Sequence, residues 1–128
     1  MVPGAGLRSG EEGPRDLLGM ARRVLGRADP QTAGLWPRAS AFLGCRAIEA
    51  TVHGLWERRT LPLRGCPMRV QLIFLRTYLG DADLAARTGH TWSALNRACH
   101  HHAYELAPTA AELQGWLSVV EELIQKAD

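Results

Sequence analysis

The sequence predicts an all-α fold, an antiparallel bundle of four to five helices. Apolar residues recur at helical spacing in several successive segments, and no segment alternates apolar and polar residues as a half-buried strand would. Prolines and glycines separate these segments at short intervals, and short connections place successive helices side by side in opposite directions. The chain of 128 residues is long enough for one hydrophobic core, so a single domain is expected.

The start of the chain is rich in glycine and poor in apolar residues. Residues 1–13 are therefore expected to form a flexible tail before a helical domain at residues 14–128. The first helix is predicted to begin at Pro14, because a proline in the first turn gives up no helical hydrogen bond. Apolar residues then recur at helical spacing up to about Arg27.

A second helix is predicted from Pro37 to about Arg59, with an apolar stripe along one side. Residues 60–66 then form a connecting loop. The third helix, from Met68 to Leu79, carries apolar residues nearly all the way round. That distribution is typical of a central helix that is buried on every side.

The fourth helix is predicted from Ala82 to about His101, after a glycine and an aspartate that suit a helix end and a helix start. Pro108 disfavours helix at the residue before it, so the fourth helix must end earlier. The fifth helix has the clearest signal. Thr109 and Glu112 have the spacing of a capping box, and apolar residues follow at helical spacing.

Composition limits the classes of function. The net charge of +2 does not by itself predict a polyanionic partner. No apolar run approaches the roughly 20 residues that span a bilayer, and the start of the chain lacks the apolar core of a secretory signal. A cytoplasmic protein without a membrane partner is expected. Lys126 is the only lysine among fifteen basic residues, and this preference for arginine, with abundant alanine, indicates a GC-rich, bacterial genome.

Chemically versatile side chains crowd together near the end of the fourth helix, in Arg97–Glu105. Three consecutive histidines lie there, and histidine can donate or take a proton near neutral pH. Arginine offers a planar, permanently charged group that binds phosphate oxygens. A tyrosine can hydrogen-bond to a phosphate or stack on a base. This combination suits phosphodiester cleavage without a metal ion.

Within this stretch, Arg97, His102 and Tyr104 form an R-x4-H-x-Y pattern that resembles the R-x4–6-H motif of HEPN domains. HEPN domains are small helical bundles, commonly ribonucleases of bacterial toxin–antitoxin and antiviral systems. The resemblance implies a metal-independent endoribonuclease of toxin or defence type, acting on RNA as a homodimer with one composite site. It also implies catalytic roles for Arg97 and His102, with Tyr104 as a third candidate that would support them or be a target for modification. An antitoxin or regulatory protein is implied as a further partner.

Three neighbours are expected to support the catalytic residues, namely Asn96, His101 and Glu105. The family often has a polar residue directly after the arginine, where this chain has Ala98, and Asn96 on the other side is the candidate substitute. Which of the three histidines matters stays open. A catalytically inactive HEPN-like binding module is an alternative that fits the same residues.

Two groups of closely spaced arginines are candidates for holding RNA phosphates under the ribonuclease hypothesis. They are Arg22, Arg23 and Arg27 at the end of the first helix, and Arg58, Arg59 and Arg64 at the end of the second. If the chain does not bind RNA, both groups are simply solvated surface.

A second alternative uses the same part of the chain to bind DNA. Residues Asp83–Arg97 resemble the helix-turn-helix of bacterial repressors, with Gly89 at the turn and Leu95 in the second helix. That resemblance implies that the residues after Gly89 lie in the major groove as a recognition helix. A turn at Gly89 would favour this alternative, and a helix unbroken there would count against it.

The three cysteines, Cys45, Cys66 and Cys99, are scattered and odd in number, so reduced thiols are expected. Cys99 and the histidines that follow it are possible metal donors. Adjacent residues on a helix, however, point about 100° apart and cannot all reach one ion. No metal and no cofactor is therefore predicted.

Overall fold

The computed structural model describes residues 13–27, 36–100 and 106–128. Those residues form five helices: α1 (Pro14–Gly26), α2 (Trp36–Arg58), α3 (Met68–Tyr78), α4 (Ala82–Cys99) and α5 (Ala110–Ala127). The all-α prediction is confirmed, and the helix ends lie within about two residues of the expected ones, as is normal for helix boundaries. The proposed flexible tail lies almost wholly outside the described residues. No described helix combines the length and the apolar character that crossing a membrane requires.

Helix α2 lies at the centre of the bundle and buries more residues than any other described helix. It runs antiparallel to α4, as two contacts show. The Trp92 indole of α4 donates a hydrogen bond of 3.1 Å to the Glu49 carboxylate of α2. The second contact joins Gly44 of α2 to Leu95 of α4. Gly44 comes before Glu49 in the chain whereas Leu95 comes after Trp92, so the two helices run in opposite directions.

Helix α5 completes the bundle beside α1 and α4, antiparallel to both. Arg15 at the start of α1 pairs with Asp128 just after the end of α5, at 2.7 Å. Arg87 in the first half of α4 donates to both carboxylate oxygens of Glu122 in the last third of α5, at 2.9 and 3.1 Å. Four helices, α1, α2, α4 and α5, therefore alternate in direction around the bundle, as expected for short connections.

Helix α2 approaches two other helices closely at Gly44. A Cβ atom added there would lie 2.9 Å from Leu117 Cδ2 of α5 and 3.2 Å from Leu95 Cδ1 of α4. Both leucines are fully buried in the apolar core that the helices share. The missing side chain therefore lets α2 pack closely against two helices at once, which is where glycine is useful despite its low helix propensity.

Helix α3 is not the central, buried helix that its apolar composition predicts. Only Gln71 and Leu75 within it are buried, whereas Ile73 is 71% exposed and Phe74 41% exposed. The helix packs on one side only, against α4 and the end of α2, where the Trp56 indole donates a hydrogen bond of 3.0 Å to Gln71 Oε1. Although α3 has apolar residues nearly all the way round, one side of it is exposed, and the prediction that it is buried on every side is wrong.

Helix α4 is continuous from Ala82 to Cys99 and passes through Gly89 without a turn. The turn that the helix-turn-helix alternative requires at Gly89 is therefore not formed, and the geometry gives that alternative no support. The chain turns earlier, at Gly80, whose φ of 79° favours glycine. Asp81 then caps α4 by accepting the Leu84 N–H at 2.9 Å.

Candidate functional site

The alternation of helix direction gives the bundle two distinct ends. One end, here named the Arg97 end, holds the C-termini of α1 and α4 together with the N-termini of α2 and α5. The opposite end, here named the Arg58 end, holds the other four helix termini and α3. Each predicted site residue that the structure describes can be assigned to one of these ends.

Arg97 lies in the last turn of α4, where it is exposed. It forms one wall of a groove of about 400 Å³ between α4 and the segment that leads into α5. The groove is lined by Ala94, Arg97, Ala98, Leu106, Ala107, Pro108, Thr109, Glu112 and Trp116. Among the described residues Arg97 has no ion-pair partner. An exposed guanidinium group without an ion pair among those residues is suited to binding an anion.

Among the described residues that line this groove, Glu112 alone is acidic, and its carboxylate forms part of a helix cap. Glu112 accepts the Thr109 backbone N–H at 2.9 Å, and the Thr109 hydroxyl accepts the Glu112 N–H at 3.0 Å. This capping box begins α5 and confirms the prediction from the sequence. Among its described lining residues the groove therefore presents Arg97, which has no ion pair there, the hydrogen-bonded carboxylate of Glu112, and apolar walls that include the half-buried Trp116.

The C-terminal turn of α4 also presents the first of the three histidines. His100 is the exposed C-cap residue, and its N–H donates to the Asn96 carbonyl at 3.2 Å. Arg97 and His100 are three residues apart, which places them on the same side of the helix end. Asn96 is half-buried, and its carbonyl also accepts from the Cys99 thiol at 3.4 Å.

Four of the predicted site residues lie outside the described residues. They are the candidate catalytic residues His102 and Tyr104 and the candidate supporting residues His101 and Glu105. The structure therefore gives the positions of Arg97 and Asn96 and not those of the other four, and the roles of all six stay predictions. All four follow within a few residues of His100, so the described groove marks where the motif begins.

The arginines predicted to hold RNA at Arg58, Arg59 and Arg64 lie at the Arg58 end. The hydrogen bond between Glu49 and Trp92 joins α2 and α4 at one level of the bundle. Arg58 lies nine residues beyond Glu49 towards one end, and Arg97 lies five residues beyond Trp92 towards the other. At 1.5 Å per helical residue, Arg58 and Arg97 are roughly 20 Å apart along the bundle axis. Within one chain, these three arginines cannot line the same groove as Arg97.

The same three arginines already have partners in the chain. Arg58 donates to the Ala127 carbonyl, the Arg59 guanidinium lies 5.9 Å from the centre of the Tyr78 ring, and Arg64 pairs with Glu57 at 2.7 Å. These contacts stabilise the end of α5, the end of α3 and the loop after α2 respectively. Structural contacts of this kind account for the three arginines without a ligand.

The first group of arginines is divided by the structure. Arg22 pairs with Glu121 of α5, whereas Arg23 and Arg27 are exposed and without an ion pair among the described residues. Both lie in or just after the last turn of α1, at the Arg97 end. Sequence spacing alone treated the two groups of arginines as equivalent, because it does not show which helix ends meet.

The thiols near the site are poor nucleophiles. Burial raises the pKa of Cys45 to about 12, and burial also raises the pKa of Cys99, which lies beside Arg97 in sequence. Both are therefore neutral at physiological pH, and a neutral thiol is a weak nucleophile and a weak metal ligand. The described parts of the chain contain no group of three or more acidic, histidine or cysteine side chains placed to hold a metal ion.

No protein-family model, curated protein or solved structure matches the chain. A helical bundle does not specify a function, because the same architecture carries many unrelated ones. A proposal must therefore come from the groove at the Arg97 end, from the charges around it and from the HEPN-like motif.

Proposed function

We propose that the protein is a metal-independent endoribonuclease of the HEPN type that binds RNA at the Arg97 end of the bundle. The observation that carries the proposal is the position of Arg97. This exposed cation has no ion pair among the described residues, lies on the wall of a groove of about 400 Å³, and is followed three residues later by the first of the three histidines. A phosphate bound there would be within reach of groups able to move protons.

In the proposed reaction the RNA 2′-hydroxyl attacks the adjacent phosphorus. One group, with His102 as the candidate from the motif, takes the hydroxyl proton, and an acid returns a proton to the departing 5′-oxygen. The O–P bond to the 2′-oxygen forms while the bond to the 5′-oxygen breaks, which leaves a 2′,3′-cyclic phosphate and a 5′-hydroxyl. Arg97 stabilises the negative charge that builds up on the phosphate oxygens, and Tyr104 supports the site.

Further phosphates of the RNA would bind Arg23 and Arg27, since both lie at the same end of the bundle as Arg97 and are without ion pairs among the described residues. Each phosphate contact with a single strand steepens the dependence of log affinity on log salt concentration by about 0.7. Substituting alanine at both positions should therefore reduce that slope by about 1.4. Arg64→Ala, at the opposite end, should leave it unchanged.

Cleavage of end-labelled single-stranded RNA and of tRNA in EDTA tests the proposal. Wild type should cut and leave 2′,3′-cyclic phosphate ends. Arg97→Ala should slow cutting by about 10²- to 10³-fold, the usual effect of losing one charge-stabilising donor at a reaction centre. His102→Ala should abolish detectable cutting, and Arg64→Ala is the matched control that should cut normally.

Two results would contradict the proposal in different ways. No cutting by folded wild type, with RNA binding that still depends on Arg97, would indicate the inactive HEPN-like binding module. Neither cutting nor binding would remove RNA as the ligand. The proposed homodimer is tested separately by sedimentation equilibrium, and cutting that rises with the square of protein concentration would support a composite site. An antitoxin or regulatory partner remains a proposal that rests on the family resemblance.

A further inference from the structure

Helix α3 exposes an apolar patch that the proposed ribonuclease activity does not use. Ile73 and Phe74 are adjacent residues, 71% and 41% exposed, and they are two of the four large apolar side chains that the described residues expose. Single exposed apolar residues are common on protein surfaces, whereas contiguous exposed apolar area is a mark of interaction sites. Ile73 and Phe74 are therefore a candidate interaction surface.

Exposed arginines lie on both sides of the patch. Arg69, Ile73 and Arg76 have the i, i+4, i+7 spacing of one helix face, with the arginines about 10 Å apart along the axis. Phe74 lies about 100° further round the helix than Ile73, on the side of Ile73 away from the two arginines. The exposed surface formed by Arg69, Ile73, Phe74 and Arg76 is here named the α3 face. Helix α3 contains no acidic residue, and neither arginine has an ion pair among the described residues.

The acidic residues next in sequence do not neutralise this face. Asp81 accepts the Leu84 N–H as the N-cap of α4, and Asp83 pairs with Arg87 at 2.9 Å. The α3 face therefore combines the apolar Ile73 and Phe74 with two positive charges, one towards each end of the helix, that no described acid pairs with. Its complement is an apolar centre with negative charges on both sides.

We infer that the α3 face docks a short, acidic, amphipathic segment of a partner protein. Apolar side chains of that segment would cover Ile73 and Phe74, and its carboxylates would pair with Arg69 and Arg76. Charge complementarity decides between this occupant and a second copy of the chain. In a pairing of two α3 helices, parallel or antiparallel, arginine would face arginine, and such juxtaposition of like charges is unfavourable.

The size of the face agrees with a short segment. A stable interface between folded proteins buries about 800 Å² on each partner, far more than two partly exposed side chains provide. An amphipathic helix or extended peptide needs only a few anchoring side chains. The α3 face also lies at the Arg58 end, through the contact of Trp56 with Gln71, so docking there leaves the groove at Arg97 open.

Selection from a random library of 16-residue peptides displayed on phage, with the full chain as target, tests the inference. Enriched sequences should carry Asp or Glu on both sides of apolar residues at helical spacing. The corresponding synthetic peptides should bind at least tenfold more weakly to Ile73→Ser/Phe74→Ser and to Arg69→Glu/Arg76→Glu. Phe42→Ser, at a 51% exposed position on α2, is the matched control and should bind normally.

Three outcomes would overturn the inference. Enriched peptides that are neutral or basic, or binding that both α3 variants retain, would show that the α3 face does not select acidic segments. A self-association that Ile73→Ser/Phe74→Ser abolishes, without peptide binding, would assign the face to a second copy. Binding of vesicles rich in phosphatidylglycerol, lost in the same variants and without peptide binding, would assign it to a membrane surface. Unchanged circular dichroism would show that each variant is folded, and none of these results depends on RNA cleavage.

Discussion

Replacing Gly89 by alanine should stabilise the protein. Gly89 lies within the continuous helix α4, and a Cβ atom added there would meet no atom within 4 Å. Glycine inside a helix costs about 0.5–1 kcal/mol relative to alanine, because the unfolded chain loses more conformational freedom. Gly89→Ala should therefore raise the free energy of unfolding by about 0.5–1 kcal/mol.

Two other glycines calibrate this prediction. Gly115 of α5 has equally open surroundings, so Gly115→Ala should give a similar gain. At Gly44 the added methyl group would press against two buried leucines, at 2.9 and 3.2 Å. Overpacking of that kind costs about 1–3 kcal/mol against a propensity gain of about 1 kcal/mol. Gly44→Ala should therefore lower the free energy of unfolding by up to about 2 kcal/mol.

Urea unfolding followed by circular dichroism measures all three effects, provided that the slope of free energy against urea stays constant. A loss of 1 kcal/mol or more for Gly89→Ala, with the expected gain for Gly115→Ala, would refute the reasoning. Such a result would mean that position 89 needs a conformation that only glycine adopts readily. A turn within α4, and with it the DNA-binding alternative, would then regain support.

Two further predictions concern α2. Trp56→Phe removes the indole N–H that donates to the buried Gln71 Oε1 at 3.0 Å. Because a buried acceptor is then left unsatisfied, the free energy of unfolding in urea should fall by about 1–3 kcal/mol or more. An unchanged free energy of unfolding would contradict a stabilising role for this hydrogen bond. Burial lowers the pKa of His53 below its usual 6.5, so near and below that pH the unfolded chain binds more protons than the folded one. The free energy of unfolding therefore has its full value above about pH 6.5 and falls as the pH drops towards the lower pKa of the folded state. His53→Gln should reduce that fall, and urea unfolding measures it.

Local signals made the helix boundaries predictable. Pro14 and the capping box of Thr109 and Glu112 act through groups within one turn of the chain, so spacing alone identifies them. The burial of α3 was predicted wrongly because it depends on which helices surround it. The same composition would suit a central helix, and only the packing shows that Ile73 and Phe74 face outward.

The candidate site was predictable only in part, for a similar reason. Arg97 was identified from its motif, and the structure shows that it is exposed beside a groove. The motif could not show which arginines share its end of the bundle, because that depends on the direction of α1 relative to α4. Arg58 and Arg23 are alike in the sequence, yet Arg58 donates to the carbonyl of Ala127 while Arg23 lies exposed at the Arg97 end.

The distribution of charge makes the proposed binding of a polyanion compatible with a net charge of only +2. Several arginines are neutralised by acids that join neighbouring helices, as in the pairs Arg15–Asp128 and Arg87–Glu122. These acids lie away from the groove, whereas the acid on the groove wall is held in a helix cap. Net charge averages over both ends, but a ligand at the groove experiences the local field, since charges beyond about 10 Å are largely screened at ordinary salt concentrations. Arg23, Arg27 and Arg97 have no ion pair among the described residues, and their positive charge at one end is therefore compatible with the proposed RNA binding, even though the total is close to neutral.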